Sequence, residues 1–377
     1  MASSSTDSGG WVNLPREILL LIVPLIYDCS IDIDSSRTRG IPSYNKKMLP
    51  VARLVCSHWA YSLPHGIHRI RKYCLQGPGP VDWGTRLLSG LQELKWSAPR
   101  SLRCAPWGSL KRLELDNARS TNVALKVLFS CSPPLLTHLD ISGSNVTDSG
   151  LLGAWPPCLS SLDLSRCSKI TDAALNSLGH LTSLRIEDCP RINGSGLGEL
   201  ASVKRLSLSG QVITNWESIK QLRSLEEFSG DIVAPVLLSL VSSLAFVSSL
   251  KTLTLVEKSI SLVPTHLSMH ELRELPFLTH MSLMSFSGIT DDGIAQLRSL
   301  ETLTIVECDN ITADGLAPLT RLSNLTLLIS NRVGDAGLVE LARMRSLTSL
   351  HVSGCDAVTE AGLQALRDAR PDLLLTV

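Results

Sequence analysis

Cysteine is the residue type in this sequence whose placement could do chemistry. Cys167, Cys189, Cys308 and Cys355 each follow a short run of alternating aliphatic residues. A thiolate can ligate zinc or act as a nucleophile, but a metal site needs further Cys or His residues at ligand spacing. These cysteines come singly, without such companions, and read as small buried polarisable side chains. Gly194-Ser195-Gly196-Leu197-Gly198 has the composition of a phosphate-cradling loop, yet no dinucleotide-binding unit follows it. His65 and His68 with Arg69, Arg71 and Lys72 form a short basic run that reads as a solvated face rather than an RNA site. No Ser/His/Asp set or carboxylate pair has positional support. The expectation is a chain that is not an enzyme, with no catalytic residue, no cofactor and no metal.

The 377 residues carry 35 basic and 35 acidic side chains, a balance that gives no electrostatic reason for a nucleic-acid partner. Aromatics are only 4% while leucine abounds, which points to aliphatic layers. Ten cysteines over this length are too dilute for a small disulfide scaffold. Residues 1–10 are small and polar, unlike a secretory leader. The apolar run Ile18–Val23 is hemmed in by Arg16, Glu17, Pro24 and Asp28 and falls short of a membrane span. These features predict no membrane association and a cytoplasmic or nuclear location.

Internal periodicity supplies the elements that carry every residue above. Leu-x-x-Leu-x-Leu, with conservative replacements, starts at Leu110, Leu136, Leu159, Leu181, Val203, Leu250, Leu278, Leu300, Leu322 and Leu347. Leu225–Phe228 is a degraded copy, and Leu91–Trp96 reads as a first one. Most starts lie 22 to 28 residues apart, room for one strand, a turn and a helix. Alternation at period two puts the leucines on one side of each strand and the residues between them on the other. At a fixed offset come Ile170-Thr171-Asp172, Ile289-Thr290-Asp291, Ile311-Thr312-Ala313-Asp314 and Val358-Thr359-Glu360. Thr is a good N-cap and an acid after it meets the positive helix end.

Cys167–Leu175 and Cys308–Leu316 resemble the cysteine-containing subtype of the leucine-rich-repeat family, with its Cys-x-x-Ile-Thr-Asp-x-Gly-Leu pattern. The resemblance covers about three quarters of the chain. It implies an α/β solenoid over 110–377, curved, with parallel short strands on the concave face and helices outside.

Residues 11–75 differ in character. Leu14-Pro15-Arg16-Glu17-Ile18 opens an amphipathic helix, and Leu54-Val55-Cys56-Ser57-His58-Trp59 lies in a second, with a polar insertion, 28–48, between them. Leu14, Pro15, Glu17 and Ile18, then Val55, Cys56 and Trp59, resemble an F-box, the helical module that docks on the S-phase-kinase-associated adaptor of a cullin-RING ubiquitin ligase. The insertion makes the gap longer than the compact module has. The resemblance implies adaptor binding through Leu14, Pro15, Ile18, Leu54, Val55 and Trp59, and a cullin scaffold as further partner. It divides the chain into a tail at 1–10, the helical module at 11–75, a linker with a degenerate first repeat at 76–109, and the solenoid. A plain N-terminal cap over the solenoid's apolar end is the alternative.

The residues between the strand leucines change along the chain. Arg112, Glu114, Asp116, His138, Asp140, Arg185 and Glu187 come first, and Thr, Ser and aliphatic residues follow. Val256, Met284, Val306 and Leu328 form the candidate binding patch for an unidentified protein substrate. The function so implied is substrate recognition within such a ligase. The alternative is a scaffold or regulatory repeat protein with no ubiquitin role.

Overall fold

A computed structural model describes residues 72–76, 92–97, 108–116, 121–210, 213–232, 234–258, 275, 277–286 and 288–377. All lie within one compact unit, His65–Val377. Leu14, Pro15, Ile18, Leu54, Val55 and Trp59 are outside the described residues.

The repeats fold into a single parallel sheet in which each strand pairs with the next in sequence, β1 to β14. The strands are β1 (Lys72–Gln76), β2 (Glu93–Ser97), β3 (Arg112–Asp116), β4 (His138–Asp140), β5 (Ser161–Asp163), β6 (Ser183–Glu187) and β7 (Arg205–Ser209). They continue as β8 (Glu227–Ile232), β9 (Thr252–Glu257), β10 (His280–Met284), β11 (Thr302–Val306), β12 (Asn324–Leu328), β13 (Ser349–Ser353) and β14 (Leu374–Thr376). Where the leucine pattern starts at Leu110, the strand starts two residues later, and the same offset holds through Leu347 and β13. The sheet extends beyond the expected 110–377. Lys72–Gln76, assigned by sequence to the end of the helical module and the start of a linker, is a strand in register with β2. β14 was likewise unmarked by the pattern.

Alternate strand residues build the core. In β11, Leu303 and Ile305 are fully buried while Thr302, Thr304 and Val306 face out, and the other strands repeat this alternation.

The returning segments, expected to be helices, vary in length and type. Helices of about three turns occur at α1 (Thr121–Cys131), α3 (Ala234–Leu244), α6 (Asp335–Arg343) and α7 (Glu360–Ala369). Single turns occur at α2 (Asp148–Leu151), α4 (Asp291–Ile294) and α5 (Ala313–Leu316). Segments 172–177, 197–199 and 217–221 are 3-10 turns. Repeat length is the cause. Starts 22 residues apart, from Leu159 to Leu225 and from Leu278 to Leu322, leave room for one turn. The longer intervals Leu110–Leu136, Leu225–Leu250 and Leu322–Leu347 put their extra residues into further helix, at about 3.6 residues a turn.

The Thr-Asp pairs do more than cap. Thr171 Oγ1 accepts from Ala173 N and Thr312 Oγ1 from Asp314 N, but Thr147 and Thr290 make no side-chain cap bond. The aspartate instead joins one repeat to the next. The Asp148 carboxylate accepts from Thr171 N and Oγ1, both at 2.8 Å. Asp335 accepts likewise from Thr359, at 2.8 and 2.7 Å. Gly150, Gly315 and Gly362 sit where a β-carbon would meet Asn122, Asp291 and Asp335 of the preceding repeat. At those three positions glycine leaves room for the clamping side chain, whereas the Asp148–Thr171 clamp forms with Ala174 at the equivalent place.

Candidate interaction face

The cysteines are structural. Cys167, Cys189 and Cys308 are fully buried, and each thiol donates to a carbonyl of the preceding repeat: Ile141 O at 3.4 Å, Leu164 O at 3.3 Å and Leu283 O at 3.8 Å. Burial pushes the thiols up, Cys189 to about 12 and Cys308 to about 11. Among the described residues no group of three His, Cys, Asp or Glu is placed to hold a metal ion. The glycine-rich Gly194–Gly198 segment is occupied by protein. The Asp172 carboxylate accepts from the amides of Asn193, Gly194 and Gly196 at 2.8, 3.0 and 2.9 Å, so the donors a phosphate would use are taken.

The open face of the sheet presents three rows of side chains running across the strands. In β2–β8 these rows carry many charged side chains, several of them paired. Lys95 bonds Glu114, Arg185 Nη2 bonds Glu187 at 2.8 Å, and Ser207 Oγ donates to Glu187 at 3.0 Å. His138 lies beside Arg112 in register. Burial, then the charges of Arg112 and Arg205, hold its imidazole below the ordinary value.

In β9–β13 the outward residues are Thr, Ser, Asn, His and four aliphatic or thioether side chains. The register aligns those four. Val256 pairs with Met284, Met284 with Val306, and Val306 with Leu328. They make one continuous, half-buried apolar row at the C-terminal ends of the strands. Asp231 precedes it and Ser353 follows it. Asp231 is held by Lys258 at 2.6 Å and accepts from Gly210 N at 2.9 Å.

The rim just past the row was not foreseen. One residue after the strand, or after a short extension of it, the backbone turns left-handed in repeat after repeat. Gly143, Arg166, Asp188, Gly210, Ser285, Glu307, Ile329 and Gly354 all have φ between 52° and 79°. Ile329 is β-branched, the type least suited to this region, and it is 47% exposed. Strain of this kind collects at functional positions, and Ile329 adjoins Leu328. Its recurrence was hidden because residues other than glycine fill most of these sites.

Two stretches, 132–153 and 343–366, match the sequence model of the leucine-rich repeat family. With the 14-stranded parallel sheet, they define an α/β leucine-rich-repeat solenoid. Among solved structures, an internalin of Listeria monocytogenes is 17% identical, with a TM-score of 0.46, covering 78% of this chain and 88% of its own. A second, internalin C2 of the same organism, is 24% identical, with a TM-score of 0.37, covering 55% and 84%. A comparison with curated proteins returns no match. No helix among the described residues is long and apolar enough to cross a membrane.

Proposed function

We propose that this chain is a protein-binding scaffold that acts as the substrate-recognition subunit of a cullin-RING ubiquitin ligase. The observation that carries the binding role is the in-register apolar row Val256–Met284–Val306–Leu328 on a face otherwise lined by uncharged polar side chains of Thr, Ser, Asn and His in β9–β13. Exposed apolar surface rimmed by polar groups is the signature of a protein-binding patch. The sheet presents the substrate and contributes no chemistry. The ligase role is supported by the sequence at Leu14, Pro15, Glu17 and Ile18 and at Val55, Cys56 and Trp59. There Leu14, Ile18, Leu54, Val55 and Trp59 hold the adaptor.

The test is co-purification of the full chain with recombinant S-phase-kinase-associated adaptor, beside the double variant Leu14→Ala, Pro15→Ala. A stoichiometric complex that the variant loses while its circular dichroism is unchanged supports the ligase role. A folded wild-type chain that does not bind overturns it and leaves a repeat scaffold whose N-terminal segment is a cap.

A further inference from the structure

We infer that the occupant of the apolar row is an amphipathic helix lying across the strands, with apolar residues at i, i+3, i+7 and i+10 and a basic residue on one flank. This rests on reading the row as a protein-binding surface. The first argument is spacing. Adjacent strands are about 4.8 Å apart, so the steps from Val256 to Leu328 span roughly 14 Å. A helix rising 1.5 Å per residue carries the pattern i to i+10 over about 15 Å, and its side chains meet the row one for one. An extended segment repeats on one side about every 6.7 Å, so its four side chains span roughly 20 Å and fall out of step. The helix is commensurate with the row; the strand is not.

The second argument is charge. From β9 to β13 no Lys, Arg, Asp or Glu faces out among the three rows. At the rim beside Val306, Glu307 is exposed, with the Ser285 hydroxyl donating to it at 2.9 Å. Among the described residues beside Val256, Lys258 is committed to Asp231 and Glu257 is buried. The acid at Glu307 is thus available to a cation on the helix flank. Ile329, exposed on the same rim, extends the apolar contact past Leu328. Met284, unbranched and polarisable, adapts its shape at the centre of the row.

The experiment is selection of a displayed library of short random peptides against the full chain. Selected peptides are then measured against Met284→Asp, Val306→Asp and Glu307→Lys, each checked for folding by circular dichroism. Enriched peptides carrying the i, i+3, i+7, i+10 pattern with a Lys or Arg are the expected result. They should bind Met284→Asp and Val306→Asp about tenfold more weakly or worse, the loss of one buried anchor, and lose affinity on Glu307→Lys. Peptides that depend on Met284 but alternate apolar residues at i, i+2, or ignore Glu307→Lys, overturn the helix and leave the row standing. Selected peptides indifferent to both Met284→Asp and Val306→Asp overturn the row itself.

Discussion

The Asp291 carboxylate receives both hydrogen bonds that Thr312 can offer from the following repeat, its backbone N and its Oγ1, each at 2.7 Å. Asp291→Ala removes both acceptors and leaves the Thr312 amide short of a partner, at a cost of about 1–2 kcal/mol. Asp291→Asn is expected to cost less, because Asn122 already fills this role. Its Oδ1 accepts from Thr147 N at 3.1 Å and its Nδ2 donates to Thr147 Oγ1 at 2.8 Å. Urea unfolding of the two variants gives the order, and equal losses would refute it.

The same clamp has a pH dependence at Asp335. The two bonds from Thr359 hold its carboxyl below the ordinary value. Its contribution is present above the usual carboxylate range and fades as pH falls through the folded value. Thermal midpoints of wild type and Asp335→Asn should therefore converge on acidification below about pH 4. A gap between them that persists unchanged into acid would contradict the clamp.

In the degraded repeat, Gly230 takes the position that Leu208 and Leu255 hold on either side. The Phe228 ring occupies the vacated space, with Trp216 edge-on at 6.1 Å. A β-carbon at Gly230 would stand 2.9 Å from Leu208 O and 3.1 Å from the Phe228 ring. Restoring the pattern with Gly230→Leu is expected to destabilise by about 1–3 kcal/mol through overpacking. The double variant Gly230→Leu, Phe228→Leu should recover part of the loss, read by denaturant midpoint.

Ile329 pays for its left-handed backbone at φ 52°. Asn tolerates that region, so Ile329→Asn is expected to stabilise by about 1 kcal/mol. A higher thermal midpoint together with weaker binding of row-directed peptides would mark it as strain kept for contact.

The buried thiols give an alkaline signature. Folded Cys189 and Cys308 hold their protons to about 12 and 11, whereas unfolded thiols release them near 8.5. The native state binds more protons in this window, so stability falls as pH rises from about 9 towards 12. Iodoacetamide at mildly alkaline pH should label the exposed Cys158 in the native chain and reach Cys167, Cys189 and Cys308 only after denaturation. Mass spectrometry of the native digest decides it, and labelled Cys308 would contradict the burial.

The sequence by itself determined the strands, their direction and the residues they bury. Leu-x-Leu fixes a face at period two, and the repeat interval fixes where the next strand begins, so β3 through β13 and the alignment of Val256, Met284, Val306 and Leu328 were legible from the chain. Tertiary structure decided what passes between repeats. Asp291 reads as a residue for its own helix end until Thr312 is stacked on it, Gly230 reads as decay until Phe228 fills its place, and β1 keeps only Ile70, Tyr73 and Leu75 at the pattern's positions. A one-dimensional pattern reports how a residue sits within its own repeat. Contacts some 20 residues apart depend on how neighbouring turns stack, and only packing fixes that.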